Sequence, residues 1–182
     1  MTIKVGINGF GRMGRLTLRA AVDWPEIEFI KVNDVAGDAK THAHLIEFDS
    51  VHGRLAQQVS SDDNSFSVGK HTIAVTNNKT INETDWSDCD VVIEASGKMK
   101  TTELLNQYLA QGVKRVVVTA PVKEDGILNV VMGVNDDLYN PSEHKIVTAA
   151  SCTTNCLAPI VKVLQEKVGI KNGSMTTIHD IT

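Results

Sequence analysis

The chain has 182 residues, of which 42% are hydrophobic and 22% are charged, and its formal net charge is −4. This composition is sufficient for the core of one large domain, or of one domain with part of another. The weak negative charge gives no electrostatic basis for binding nucleic acid or an anionic membrane.

The start of the chain gives no sign of an export signal, because Lys4 and Asn8 interrupt its short apolar run. No segment is long and apolar enough to span a bilayer. Three cysteines, an odd number, do not indicate a disulfide framework. The expected location is therefore the reducing cytoplasm.

A glycine-rich turn follows the first predicted strand. We expect a strand at 3–7, a helix at 15–22 and a second strand at 28–32 that ends at Asn33-Asp34. Between the first strand and the helix stands Gly9-Phe10-Gly11-Arg12-Met13-Gly14. In this context G-x-G-x-x-G predicts a dinucleotide-binding unit.

Each glycine of this motif has a predicted role. Gly9 permits a tight turn, Gly11 lets the backbone approach a pyrophosphate, and Gly14 lets the helix pack closely on the sheet. Asp34 follows Gly14 by twenty residues, where its carboxylate can accept bonds from the adenosine ribose. A 2′-phosphate would be repelled there, so NAD is predicted in preference to NADP.

No metal site is expected in the next segment, a loop that enters a helix at 36–45. His42 and His44 are two residues apart and would face different directions on a helix. No cysteine or carboxylate cluster completes a site beside them. A turn at 49–54 and antiparallel strands within 59–75 follow.

The rest of the first domain continues the alternation of strands and helices. Further strands are expected at 90–94, 114–119, 128–134 and 145–149, with a helix at 101–110. Together these elements predict an α/β fold of the Rossmann type, with a doubly wound, mainly parallel sheet over residues 1–150. The loops at the strand ends, 9–14, 34, 96–97 and 119–121, are expected to meet at one crevice.

The candidate nucleophile is Cys152, which lies near a predicted helix N-terminus. Such a position favours the thiolate, which is the reactive form. The helix either begins near Cys152 and bends at Pro159, or begins near Pro159 with Cys152 on the preceding loop. A cysteine that merely packs in the core is the alternative. We predict that Cys152 reacts before Cys156 or Cys89.

The last residues, 174–182, predict a strand that carries His179. A chain end within a strand is unusual for a complete domain. Residues 151–182 are therefore expected to be the truncated start of a second, α+β catalytic domain.

Three motifs in this order resemble the phosphorylating glyceraldehyde-3-phosphate dehydrogenases. They are the segments 5–15 (VGINGFGRMGR), 151–156 (SCTTNC) and 175–179 (MTTIH). The segments 49–53 (DSVHG) and 131–135 (VMGVN) match as well. The resemblance covers this chain from end to end, but only about the first half of a family chain.

The resemblance implies the reaction and its residues. Cys152 would attack the aldehyde of glyceraldehyde 3-phosphate with His179 as base, NAD would take the hydride, and inorganic phosphate would split the thioester. Phosphate groups would bind Ser151, Thr153 and Thr182. The expected cofactor contacts are Gly9, Phe10, Gly11, Arg12, Met13, Gly14, Asp34, Lys79, Ser96, Gly97 and Thr119.

Departures from the family pattern indicate a particular branch. They include Ala149, the run Gly97-Lys98-Met99-Lys100 and Asp180, and they are most similar to the branch encoded beside arsenate-resistance efflux proteins. Arsenate would there replace phosphate. The alternatives are an erythrose-4-phosphate dehydrogenase and a non-catalytic NAD-binding module. From this chain we expect NAD binding without appreciable turnover, and from a full-length family chain a homotetramer.

Overall fold

The computed structural model describes residues 2–179, which form helices on both sides of a large sheet. The helices of this range are α1 Arg12–Ala21, α2 Ala39–Glu47, α3 Thr102–Ala110 and α4 Cys152–Lys167. The strands are β1 Ile3–Asn8, β2 Ile27–Asn33, β3 Phe48–Asp49, β4 Gly53–Arg54, β5 Val59–Ser61, β6 Ser65–Val68, β7 His71–Thr76, β8 Val91–Glu94, β9 Arg115–Val118, β10 Leu128–Asn129 and β11 Ile146–Thr148. Single 3-10 turns occur at Ile81–Glu83 and Asp136–Leu138.

The main sheet has nine strands in the order β10-β11-β9-β8-β1-β2-β7-β6-β5. Strands from β10 to β7 pair in parallel, and β5, β6 and β7 form an antiparallel meander at one edge. The chain runs outward from β1 through β2 and then returns to the other side of β1 at β8. The predicted doubly wound, mainly parallel sheet is confirmed, and its switch point lies between β1 and β8.

Two apolar clusters cover opposite faces of the sheet. One joins β1 and β2 to Leu18 of α1 and Ile46 of α2, and the other joins β8 and β9 to Leu105 of α3. In the second cluster Trp86 and Tyr108 pack edge to face with their ring centroids 5.6 Å apart. Burial of alternate side chains on each face therefore holds the strands that carry the crevice.

Helix α4 begins at Cys152, so the first of the two predicted helix starts is confirmed. The Ser151 side chain caps it by accepting a hydrogen bond from the Thr154 amide at 3.0 Å. Pro159 lies inside the helix, and none of its residues is buried. The change from a buried core to an exposed helix at Ser151 accords with the predicted boundary between residues 1–150 and 151–182, which stays a prediction.

Two predicted strands differ from the structure. The strand expected at 128–134 ends at Asn129, because the Asn135 side chain accepts the Val131 amide at 2.7 Å and turns the chain away from its neighbour. The strand expected at 174–182 is wrong for residues 174–179, which have no regular structure. They have no partner strand to pair their backbone groups. Residues 180–182 lie outside the described part.

None of the helices in residues 2–179 is long and apolar enough to cross a membrane.

The glycine turn gives a stability prediction. A Cβ at Gly14 would lie 2.1 Å from the Gly9 carbonyl oxygen, whereas a Cβ at Gly11 would have nothing within 4 Å. We expect Gly14→Ala to lower the free energy of unfolding by about 3 kcal/mol through overpacking. Gly11→Ala, the matched control, should cost about 1 kcal/mol or less, as at other helix caps. Thermal unfolding of both variants is the measurement, and equal melting temperatures would contradict the packing argument.

Candidate cofactor crevice and thiol site

A crevice of about 380 Å³ opens at the carboxyl ends of β1, β2 and β8. It is lined by predicted cofactor contacts together with residues that were not predicted. The predicted residues in its wall are Gly9, Gly11, Asp34, Lys79 and Ser96. The sequence therefore located the crevice from the glycine motif and the strand ends.

The glycine turn has the geometry that its spacing predicts. Gly9 has a φ of +94°, and a Cβ there would lie 2.3 Å from the Ser96 amide nitrogen. The roles of Gly9 in a tight turn and of Gly14 in close helix packing are confirmed. Gly11 precedes the N-terminus of α1 and faces open space. A phosphate group fits this arrangement, because the first amides of a helix have no carbonyl partners.

Asp34 has a second role that the sequence did not predict. One carboxylate oxygen accepts the Phe10 amide at 2.6 Å, and the other accepts the Ala36 amide at 3.0 Å. The side chain thus ties the glycine turn to the loop that follows β2. The Phe10 ring is buried in the core, and Phe10 is not among the residues that line the crevice.

Arg12 and Met13 open helix α1, and their side chains are both partly exposed. The Arg12 guanidinium forms an ion pair with Asp49. The amides of His52 and Val51, with Arg12, hold the pKa of Asp49 down at about 2. Asp49 belongs to the DSVHG segment that carried the resemblance, but its pairing with Arg12 depends on the fold.

A row of buried polar side chains forms the floor of the crevice. Asn8, Asn33 and Glu94 end β1, β2 and β8, and the strand register sets Asn8 beside both neighbours. Asn8 donates to Glu94 at 2.8 Å, and Asn33 donates to Asn8 at 2.8 Å. Tyr108 donates to Glu94 at 2.6 Å, and burial followed by the Glu94 charge raises the pKa of Tyr108. The only signal for this row in the sequence is a carboxylate at the end of an apolar strand.

Ser96 and two other predicted contacts, Gly97 and Thr119, belong to loops that Glu94 holds. The Ser96 amide donates to a Glu94 side-chain oxygen at 2.8 Å, and Gly97 follows with a φ of +72°. Thr119 follows β9, where its amide donates to the Glu94 carbonyl oxygen at 2.9 Å, outside the residues that line the crevice. Glu94 therefore holds both of these loops.

Cys152 is exposed and is the first residue of α4, so the alternative of a packed core cysteine is wrong. Two residues before it, Ala150 is buried with a φ of +54°, a conformation that costs energy for any residue except glycine. Among the hydrogen bonds of residues 2–179, none is donated by the amides of Cys152 and Thr153. The Ser151 and Thr153 hydroxyls are 3.1 Å apart beside them. These donors form one small polar surface around the thiol.

The predicted acid–base pair is not assembled in the described residues. His179 is exposed, and no hydrogen bond in residues 2–179 joins it to Cys152. Its segment lacks a strand partner that would direct it toward the thiol. Thr182, the third predicted phosphate contact, lies outside the described residues. Within residues 2–179 there is also no cluster of three or more side chains suited to a metal ion.

Family models match two parts of the chain. Residues 3–102 match the model described as "Glyceraldehyde 3-phosphate dehydrogenase, NAD binding domain". Residues 151–182 match "Glyceraldehyde 3-phosphate dehydrogenase, C-terminal domain". The two matches contain the glycine turn and the thiol, respectively.

Curated relatives match along the whole chain. Glyceraldehyde-3-phosphate dehydrogenase 3 of Nostoc sp. is 52% identical over 100% of this chain and 54% of its own length. The glyceraldehyde-3-phosphate dehydrogenase of Geobacillus stearothermophilus is 46% identical, again over 100% of this chain and 54% of its own. The chain thus spans about half the length of the curated relatives it matches.

The three thiols should differ in reactivity. Burial, followed by the Asp88 charge, raises the pKa of Cys89 to about 12, so we expect no alkylation of Cys89 in the native protein. Cys152 and Cys156 are both exposed. We expect iodoacetamide to modify Cys152 first, because the neighbouring amides without acceptors can donate to its sulfur. Mass spectrometry over time measures the order, with unfolded protein as control for Cys89. Earlier labelling of Cys156 would contradict this assignment.

Proposed function

The chain belongs to the glyceraldehyde-3-phosphate dehydrogenase family, and on that premise we propose that it binds NAD in the crevice and supplies the catalytic thiol for oxidation of glyceraldehyde 3-phosphate. The observation that carries this proposal is the crevice at the switch point. A single cavity is lined there by Gly11, which precedes the N-terminus of α1 and faces open space, and by Asp34. This arrangement suits a dinucleotide better than any other cofactor.

Each wall of the crevice has a proposed part in cofactor binding. The amides at the start of α1 would bind the pyrophosphate, and the Asp34 carboxylate would accept bonds from the adenosine ribose. Lys79, Ser96 and the backbone at Gly97 would contact the rest of the dinucleotide. When bound, NAD supplies the hydride acceptor. Phe10, Arg12, Met13 and Thr119 are proposed as further contacts of the dinucleotide.

The proposed chemistry begins at Cys152. Its thiolate would attack the aldehyde carbon and form a hemithioacetal, whose hydroxyl proton His179 would take as hydride leaves. The product is a thioester on Cys152. The free Cys152 amide would donate to the oxyanion that develops during attack. Inorganic phosphate would then split the thioester and give an acyl phosphate.

The attacking ion is proposed to bind at the hydroxyl groups beside the thiol. Ser151 and Thr153 offer two donors, and Thr182 is proposed as a third. Arsenate has nearly the same shape and charge as phosphate, and we propose it as an alternative ion on the basis of the departures Ala149 and Asp180. We further propose a cytoplasmic homotetramer for the full-length protein.

Cofactor choice gives a direct prediction. In the proposed complex the charge of Asp34 repels a 2′-phosphate, so we expect the chain to bind NAD more tightly than NADP. Asp34→Asn should weaken NAD binding by about tenfold or more, the usual effect of losing a charge-assisted hydrogen bond, and should reduce the preference for NAD. Asp137→Asn, on the exposed surface, is the control. Calorimetric titration is the measurement, and comparable affinities for NAD and NADP in the unaltered chain would refute the prediction.

Turnover tests the chemical part of the proposal. The full-length protein that contains this sequence should reduce NAD when given glyceraldehyde 3-phosphate with phosphate or arsenate, as followed by absorbance. Cys152→Ser should abolish the reaction, and His179→Asn should slow it by about 10²–10⁴-fold, as expected for loss of a general base. A Cys156→Ser variant is the control. If Cys152→Ser retains activity, the assignment of the nucleophile is wrong.

A further inference from the structure

His42 of α2 is a buried histidine without hydrogen bonds. Its side chain is 2% exposed, and neither ring nitrogen has a partner in residues 2–179. Another buried histidine, His71, shows the usual arrangement: its Nδ1 accepts the Phe29 amide at 3.2 Å, and its Nε2 lies 2.8 Å from the Val22 carbonyl oxygen. Buried polar groups are nearly always paired, so the condition of His42 needs a physical explanation.

The position of His42 connects it to the crevice. Its ring meets the Phe10 ring edge to face, with centroids 5.3 Å apart. On another side it packs against Gly37, where an added Cβ would lie 3.1 Å from its Cε1 atom. Phe10 belongs to the glycine turn, and Gly37 belongs to the loop that follows Asp34. The imidazole therefore supports both loops that Asp34 ties together.

Charged groups surround this ring without bonding to it. Burial lowers the pKa of His42; the Asp34 charge opposes this effect, Arg15 adds to it, and Asp38 opposes it. Asp34 is already bonded to the Phe10 amide, and Asp38 is bonded to the Thr41 amide at the N-terminus of α2. The packed arrangement consequently suits the neutral ring.

We propose that His42 is a positioning residue for the cofactor, whose neutral ring holds the Phe10 and Gly37 loops in place and whose protonation loosens them and weakens NAD binding. This inference rests on the proposed binding of NAD. An imidazolium in this position must leave its packing or compete with the Phe10 amide for Asp34. Either movement shifts the carboxylate that is proposed to accept the ribose hydroxyls.

A second electrostatic effect acts in the opposite direction. A positive charge on His42 would attract the cofactor's pyrophosphate across the crevice. That attraction acts over a longer distance and is screened by solvent and salt. The opposing effect is the free-energy cost of an unpaired charge in a buried position, which is screened much less. We therefore expect the loss of packing to dominate, so that acid weakens binding.

Protonation of His42 should also make the free energy of unfolding depend on pH. The pKa of His42 is lowered in the folded chain from its ordinary value of 6.5. As pH falls below that value the unfolded chain takes up the proton first, so stability declines until the folded form is also protonated. This contribution should disappear in His42→Leu, which fills the space but cannot bind a proton.

The test compares NAD affinity at pH 7.5 and pH 5.5 in three proteins. The unaltered chain should bind NAD about threefold or more less tightly at the lower pH, within the tenfold per pH unit that one proton permits. His42→Leu should lose most of the pH dependence, whatever its affinity at pH 7.5. His44→Leu makes the same change on the exposed side of α2 and should retain the dependence.

The possible outcomes distinguish this inference from the proposed function. The inference alone is overturned if NAD affinity falls by the same factor between pH 7.5 and pH 5.5 in His42→Leu as in the unaltered chain. It is also overturned if the unaltered chain binds NAD equally well at the two pH values, or more tightly at pH 5.5. Absence of NAD binding at pH 7.5 overturns the proposed function and the inference with it. If His42→Leu does not fold, NMR of the unaltered chain decides: the Phe10 and Gly37 amide signals must shift with the same midpoint as the His42 ring. Independent midpoints overturn the inference.

Discussion

The buried row Asn33–Asn8–Glu94 is the constraint on which the crevice depends. A carboxylate removed from water must be fully hydrogen-bonded, and here the donors come from β1, from Tyr108 of α3 and from Ser96. A shift of one residue between β1 and either neighbouring strand would separate Asn8 from Glu94 or from Asn33. The row therefore fixes the strand register, and with it the relative positions of the glycine turn, the Asp34 loop and the loop at Ser96.

The two proposed centres are held in different ways. The crevice is built on the central strands of the sheet and is cross-connected by Asp34 and Glu94, so it is preformed. The thiol lies on a helix with no buried residue, attached at its start by Ser151 and by the Asn155 side chain, which donates to the Ala149 carbonyl oxygen at 2.7 Å. Cofactor binding is thus a property of the sheet. The proposed chemistry depends on contacts that orient α4 and His179.

Local patterns predicted most of the fold but little of the floor of the crevice. The glycine turn was predictable because its spacing, backbone conformation and flanking strand and helix all lie within one short segment. The early end of β10 was not, since it depends on the Asn135 side chain reaching back to Val131. The spacing of His42 and His44 predicts only that they do not form a metal pair, because the burial of His42 beneath Phe10 is set by residues distant in the sequence. The strand predicted around His179 failed because residue preference cannot supply a pairing partner.

The left-handed backbone at Ala150 has a consequence for the entropy of the chain. Glycine would adopt this conformation without strain, but it would also give the unfolded chain more freedom and the junction more ways to bend. Alanine costs some enthalpy there and in return narrows the range of directions in which the following helix can leave the sheet. Because α4 buries none of its own residues, this junction is one of the few features that give it a defined direction. The backbone conformation at Ala150 thus restricts the orientation of α4, and with it the position of the thiol relative to the sheet.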